Sequence, residues 1–267
     1  MRRGEGGPHL FRMAFNFATR YEALLKFSGA RYEGRFVYAP GVRVMSSTRL
    51  EGEGEGGALP FCAPSDDFVR GGEFRARLCY LAFREDETEE DARAYVSRMI
   101  HGHGHLSVWN AHYVEFFVCG ISTEAVLELC AHREASCSRL TTSNSKSRAD
   151  AFYRIVPGTK DEVEAQEAFL RAWMERERPK EGAVTTEQRN MLDLGVKCGA
   201  MTFCMSLKDY VRFLEGRLPE AGNETEVREV AHMMLRELYG RYPALFGRLR
   251  ERWPETRDSM NFTASAS

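Results

Sequence analysis

His112-Tyr113-Val114-Glu115-Phe116-Phe117-Val118-Cys119-Gly120-Ile121-Ser122 is the stretch on which the fold turns. Its β-branched and aromatic residues predict a strand over 112–121. Ser122 is a residue type that caps helix starts, so the strand is expected to lead directly into a helix that ends near Ala131. Working outward, Met201 to Met205 reads as a second buried strand. Ala92, Tyr95, Val96 and Met99 follow i, i+3, i+4, i+7 spacing and share one helical face. Leu207, Tyr210, Val211 and Leu214 repeat that spacing, as do Val227, Val230, Ala231, Met234, Leu235 and Leu238. Thr159 with Glu162 forms a capping-box pattern before a helix carrying Phe169, Leu170 and Trp173, and Thr185 with Gln188 repeats the pattern. These stripes read as core. The fold class expected is α+β, a helix-rich mixed domain.

The main domain is expected over residues 71–254. Residues 1–70 read as an N-terminal extension that packs on it. Within that extension, Arg35-Phe36-Val37-Tyr38 and Val42-Arg43-Val44 flank Pro40-Gly41 as an expected hairpin. The run Glu51-Gly52-Glu53-Gly54-Glu55-Gly56-Gly57 cannot bury anything and reads as an exposed linker. Residues 255–267, polar and small, read as a flexible tail.

The 267 residues carry a net charge of −2, which supplies no basic field and argues against nucleic acid as a partner. No apolar run approaches the length of a membrane span. The start, Met1-Arg2-Arg3-Gly4-Glu5-Gly6-Gly7, lacks the apolar segment of a secretory signal. The seven cysteines (62, 79, 119, 130, 137, 198 and 204) include no C-x-x-C pair. They read as reduced thiols in a cytoplasmic protein, most of them buried as small hydrophobes.

Two stretches could carry chemistry. Ala131-His132-Arg133-Glu134-Ala135-Ser136-Cys137-Ser138-Arg139-Leu140-Thr141-Thr142-Ser143-Asn144 holds a histidine, two arginines and six hydroxyl- or amide-bearing side chains in fourteen residues. Fixed positive charge with short donors is what a phosphate pocket requires; a solvated polar loop has the same composition. Arg217, Arg228 and His232 are further candidates on neighbouring helices. The run His101-Gly102-His103-Gly104-His105 could offer imidazoles to a metal, with His112, His132 or Glu115 as added ligands, or could be a turn after a helix ending near Ile100. No P-loop, no G-x-G-x-x-G after a strand and no G-x-S-x-G elbow is present.

Three blocks resemble the flavin-dependent thymidylate synthase family. Gly104-His105-Leu106-Ser107-Val108-Trp109, followed by Tyr113 to Ser122, is similar to its Gly-His-x-Ser-x-x-Glu-His-x-x-Phe-x-Phe segment. The family signature R-H-R-x-x-S-x-N-E-x-S-x-R-Y aligns without a gap on Ala131 to Asn144. Phe213-Leu214-Glu215-Gly216-Arg217 and Glu226-Val227-Arg228-Glu229-Val230-Ala231 resemble its F-L-x-x-R and E-I-R-x-x-A helices.

The resemblance implies a homotetramer that binds FAD at subunit interfaces. It would reduce the FAD with NADPH and move a one-carbon unit from methylenetetrahydrofolate to carbon 5 of deoxyuridine monophosphate (dUMP). It implies that His132 and Arg133 hold FAD, that His105 and Ser107 lie beside the flavin, and that Arg217 holds the pyrimidine nucleotide. Glu128, Arg139, Thr141 and Ser143 fall at substrate positions. No catalytic side chain is assigned, because the chemistry belongs to the flavin.

The departures are specific. The triplet's first arginine is Ala131, the signature's Asn-Glu is Ser138-Arg139, its second serine is Thr141, and its Arg-Tyr is Ser143-Asn144. A glutamine just before the triplet is Glu128. The arginine absent at Ser143 removes a charge-assisted phosphate contact of about 1.5–3 kcal/mol, for which Arg139, Lys146 or Arg148 could compensate. Beside the active enzyme stand two alternatives: a silent homologue that binds flavin or nucleotide or serves as a structural subunit, and a metal-dependent hydrolase built on His101, His103 and His105.

Overall fold

The computed structural model describes residues 17–48, 67–79, 81–84, 88–140, 152–176, 196–219 and 225–254. Helix α1 (Phe17–Ser28) precedes strands β1 (Arg31–Glu33), β2 (Phe36–Ala39) and β3 (Gly41–Ser47). Helices α2 (Asp67–Leu78) and α3 (Glu89–His101) and a 3-10 turn (Leu106–Trp109) lead to β4 (Tyr113–Ser122) and α4 (Thr123–Cys130). Then come β5 (Ser136–Arg139), β6 (Tyr153–Arg154), α5 (Lys160–Arg176), β7 (Cys198–Ser206), α6 (Leu207–Arg217), α7 (Thr225–Arg241) and α8 (Pro243–Arg252). The molecule is α+β, as expected.

β4 is central to an antiparallel sheet of order β3-β4-β7-β5. Both its faces are covered, as a two-sided apolar strand requires. Val114, Phe116 and Val118 join Met201, Phe203 and Met205 of β7 under the helical layer, where α4, α6, α7 and α8 contribute Leu129, Tyr210, Leu214, Met234 and Phe246. Phe117 and Cys119 face the other way, onto Tyr21 and Leu25 of α1. Gly120 sits at a bulge in β4 with φ +81; a Cβ there would lie 2.9 Å from Val37 Cγ1. A side chain would therefore clash as well as strain the left-handed backbone.

The helical stripes read from spacing are buried in α3, α6 and α7 except at Tyr95 and Met99, which are half-buried against the core. Thr159 and Glu162 form the expected capping box at the start of α5, with the Glu162 carboxylate accepting from the Thr159 N–H at 2.7 Å. Phe169 does not join the core: it is 57% exposed, on the outer side of α5, while Leu170 is buried against Phe36 and Tyr153. The Thr185–Gln188 capping pattern, the Glu51–Gly57 run and the tail after residue 254 lie outside the described residues.

The expected hairpin at Pro40-Gly41 is corrected. β2 and β3 diverge into different sheets: β2 pairs with β1 and, in parallel, with β6, whereas β3 pairs with β4. Pro40 has no N–H to continue a ladder. Gly41 passes so close to α1 that a Cβ would lie 2.2 Å from Ser28 Oγ. The hairpin is formed one strand earlier, by β1 and β2 around Gly34 with φ +54. The chain before residue 70 thus joins the body by strand pairing as well as by packing.

The small sheet is fastened to the body by Arg154 of β6, which is 2% exposed. Its Nε donates to Glu226 Oε1 at 3.0 Å and its Nη2 to Glu229 Oε2 at 2.7 Å, both on α7. Glu226 Oε1 also accepts the Ser122 N–H at 3.0 Å, so one carboxylate ties β6, α7 and the end of β4. Burial pushes the Glu229 carboxyl above its ordinary range, against the lowering effect of Arg154.

Candidate functional site

The site is assembled by two strand-to-helix passages. At the end of β4, the Ser122 hydroxyl accepts the Ala125 N–H at 3.0 Å and starts α4. At the end of β7, the Ser206 hydroxyl accepts the Asp209 N–H at 3.2 Å and starts α6. The Tyr210 hydroxyl lies 3.1 and 3.0 Å from the carbonyls of Val114 and Phe203, fixing α6 on the sheet. The last turns of the two helices then meet. Arg217 is a cation at a helix C-terminus, where the dipole favours it.

Arg217 Nη1 donates to Glu128 Oε1, and its Nε and Nη2 lie 3.1 and 3.0 Å from His132 Nε2. The imidazole stands edge-on to Phe213 with ring centroids 4.9 Å apart. A guanidinium can only donate, so His132 Nε2 is the acceptor and the ring proton resides on Nδ1. Burial first, and then the Arg217 charge, hold His132 below the ordinary histidine range, while Glu134 and Glu128 pull the other way. A folded-state pKa below the unfolded one means stability that is complete above the ordinary value of about 6.5 and lost as pH falls through the lowered value. An NMR titration of the histidines is expected to give His132 a midpoint below 6.5; a midpoint at or above it would contradict the acceptor role.

Glu128, His132 and Arg217, candidates for different ligands in the sequence, are thus brought into one cluster. His132 and Arg217 line a cleft of about 140 Å³ together with Glu134, Met205, Asp209, Arg212, Phe213 and Gly216, while Glu128 holds Arg217 from behind that lining. The sequence reading missed Asp209, Arg212 and Gly216. They recur on the side of α6 away from the apolar stripe, a spacing that groups them on one face but does not separate a site from a solvated surface.

Other candidates stand apart. Arg133 is exposed in the turn after α4, and Arg139 is exposed at the end of the edge strand β5. His105 and Ser107 are exposed around the 3-10 turn, which packs against α2 and α6, and neither lines the cleft. Thr141 and Ser143 lie outside the described residues. Arg228 and His232 are half-buried on α7 away from the cleft.

The histidine run is a turn: α3 ends at His101, Gly104 has φ +64, and His103 and His105 have ring centroids 5.8 Å apart. The extra ligands considered for it are committed elsewhere. His112 Nε2 lies 3.1 Å from the Tyr242 hydroxyl in the core, and Glu115 accepts from Ser46 at 3.1 Å. Among the described residues no group of three or more histidine, cysteine, aspartate or glutamate side chains is placed to hold a metal ion.

Six described cysteines are free. Cys119 and Cys198 are buried, as the sequence reading expected of most, but Cys130, Cys137 and Cys204 are half-buried and Cys79 is exposed. Burial pushes the Cys137 thiol up to about 12, with Cys130 and Cys204 adding to the effect. Since the thiolate is the nucleophile, iodoacetamide at pH 8 is expected to modify Cys79 well before Cys137, read by peptide mass mapping. Equal rates would contradict the burial of Cys137.

Comparison with known proteins identifies the family. The family described as thymidylate synthase complementing protein matches residues 70–244, well over half of the chain. A flavin-dependent thymidylate synthase of Geobacter sulfurreducens is 28% identical over 188 residues, covering 64% of this chain and 77% of that one. One from Mycobacterium sp. (strain KMS) is 26% identical over 198 residues, covering 65% and 77%. Among solved structures, the thymidylate synthase X (ThyX) of Helicobacter pylori with FAD and dUMP superposes with a TM-score of 0.54 at 16% identity. It covers 77% of this chain and 96% of its own, a likeness of fold. No described helix is long and apolar enough to cross a membrane. With the family match spanning the helices that form the cleft, the chain belongs to the thymidylate synthase complementing protein (ThyX) family.

Proposed function

We propose that the protein is a flavin-dependent thymidylate synthase that converts dUMP to dTMP, using methylenetetrahydrofolate as one-carbon donor and NADPH as reductant of FAD. The observation that carries this is the meeting of His132, from the family's triplet, and Arg217, from its C-terminal arginine helix, on one cleft, with Glu128 holding Arg217.

The residues present fit a phosphate-bearing cofactor. Arg212 and Arg217 line the cleft, Arg133 and Arg139 are exposed beside it in sequence, and Ser136 and Ser138 are exposed on β5. The cleft, about 140 Å³, is smaller than the roughly 300–1,000 Å³ of sites that enclose a small molecule. The described residues of one protomer therefore offer one wall, which suits a homo-oligomer, a tetramer by resemblance, in which a second copy completes the site.

FAD, when bound, supplies the redox chemistry for reducing the transferred carbon unit. The protein's part is to hold and orient. His132 and Arg133 would hold the cofactor, with His105 and Ser107 beside the flavin. Arg217, fixed by Glu128 and His132, would present a rigid donor edge to the nucleotide, and Arg139, Thr141 and Ser143 would close around it. The neutral His132 accepts from Arg217, so acidification that protonates it would loosen that edge. Free thiols suit a reducing, cytoplasmic setting.

The second reading, a silent homologue that binds flavin or nucleotide, is favoured by one observation: Ala131 and Ser143 stand where the family signature has arginines. Purified protein incubated with FAD separates the proposal from the absence of any flavin role. Retained flavin absorbance that shifts on adding dUMP supports a shared flavin and nucleotide site, and a colourless protein contradicts it.

A further inference from the structure

Which group in the cleft is free to take an anion follows from what the others are doing. Arg217 directs one donor of each guanidinium nitrogen at its own chain, Nη1 at Glu128 and Nε and Nη2 at His132, so it can serve a ligand only with its outer edge. Glu128 already neutralises it. Asp209 is held in the N-terminal turn of α6, where its Oδ2 accepts the Ser206 hydroxyl at 2.5 Å. Arg212 lines the same cleft, is exposed, and makes no hydrogen bond or ion pair with the described residues. It is the one uncommitted cation among the described lining residues. It lies four residues before Gly216, and a Cβ built at Gly216 meets none of the described residues within 4 Å, so among them the helix surface beside Arg212 is open.

A guanidinium with free donors beside an open helix face matches the planar, bidentate geometry by which phosphate is recognised. The chain carries alanine and serine at positions 131 and 143, so that charge must come from elsewhere if a nucleotide binds here. We propose that Arg212 holds a phosphate group of the nucleotide bound in this cleft, replacing the arginines missing from the signature loop. The proposal rests on the nucleotide reading of the site. The phosphate has two sources, the 5′-phosphate of dUMP or the diphosphate of FAD, and both present the same chemistry to Arg212.

The test measures dissociation constants on the full chain for dUMP against deoxyuridine and for FAD against riboflavin. It compares the unaltered protein with Arg212→Ala, Arg212→Lys and Gly216→Leu. Arg212→Ala is expected to weaken dUMP or FAD by about tenfold or more, while the phosphate-free partner changes less than twofold. Arg212→Lys is expected to recover part of the loss, and added salt to narrow the gap between Arg212→Ala and the unaltered protein. Gly216→Leu, whose side chain meets none of the described residues at Cβ, is expected to keep the melting temperature and weaken the same ligand. A loss confined to dUMP assigns the 5′-phosphate, and a loss confined to FAD assigns the diphosphate. Affinities for both dUMP and FAD within twofold of the unaltered protein in Arg212→Ala would overturn the inference while leaving the nucleotide reading standing. An unaltered protein that binds neither overturns both.

Discussion

Arg217→Ala is expected to lower nucleotide affinity by about 10- to 100-fold, the equivalent of one charge-assisted hydrogen bond. The direct loss is the fixed donor edge of the cleft. A further part comes from what is left behind: the Glu128 carboxylate, 25% exposed, loses the Arg217 cation and leaves a negative charge close to the cleft. The two causes can be separated. Adding Glu128→Gln to Arg217→Ala removes the stranded charge, and is expected to recover several-fold of the lost affinity, measured by calorimetric titration with dUMP. A double variant as weak as, or weaker than, Arg217→Ala would show that the pair acts only by fixing the geometry of α4 and α6. Because Arg217 is itself 21% exposed, the pair is not expected to dominate folding stability.

Arg154→Met is expected to have the larger effect on stability. Removing one partner of a buried ion pair strands charge in the interior and costs about 3–5 kcal/mol. In a domain of this size that corresponds to a fall in melting temperature on the order of 10 °C. Glu229 makes the deficit depend on pH. Burial already raises its folded-state pKa, and Arg154 opposes that rise, so the variant raises it further. A carboxyl with a raised folded-state pKa contributes stability below its unfolded pKa and loses it as pH rises through the folded value. The melting deficit of Arg154→Met should therefore be smaller at pH 5 than at pH 8. A deficit that grows in acid would contradict the burial of Glu229.

Much of the frame was legible because it rests on apolar periodicity. The strand at 112–121, the buried strand around 201–205, and the stripes of α3, α6 and α7 are all carried by residues whose spacing permits one arrangement. What could not be read depended on partners distant in sequence. β5, Ser-Cys-Ser-Arg, has no apolar alternation and looks like loop; it is a strand because β7 offers it an edge. The separation of β2 from β3 at Pro40 was hidden because each strand's partner, β6 or β4, lies far along the chain. Phe169 has the spacing of a core residue, but Leu170 takes the buried side of α5.

The site divides along the same line. Glu128, His132 and Arg217 were found through their spacing in family motifs, and the structure brings them into contact. Arg212 was not, because an arginine on the polar side of a helix is indistinguishable in sequence from a solvated charge. Its standing comes from the commitments of its neighbours. Glu226, part of a matched helix motif, is spent on Arg154 and the Ser122 N–H and so holds the fold together.

The most direct test of the account is tritium release from 5-tritiated dUMP by the purified chain supplied with FAD, NADPH and methylenetetrahydrofolate. The account predicts release that depends on each of the three, and that falls in Arg217→Ala. Flavin uptake without tritium release, under aerobic and anaerobic conditions alike, would contradict it and identify the protein as a silent member of its family.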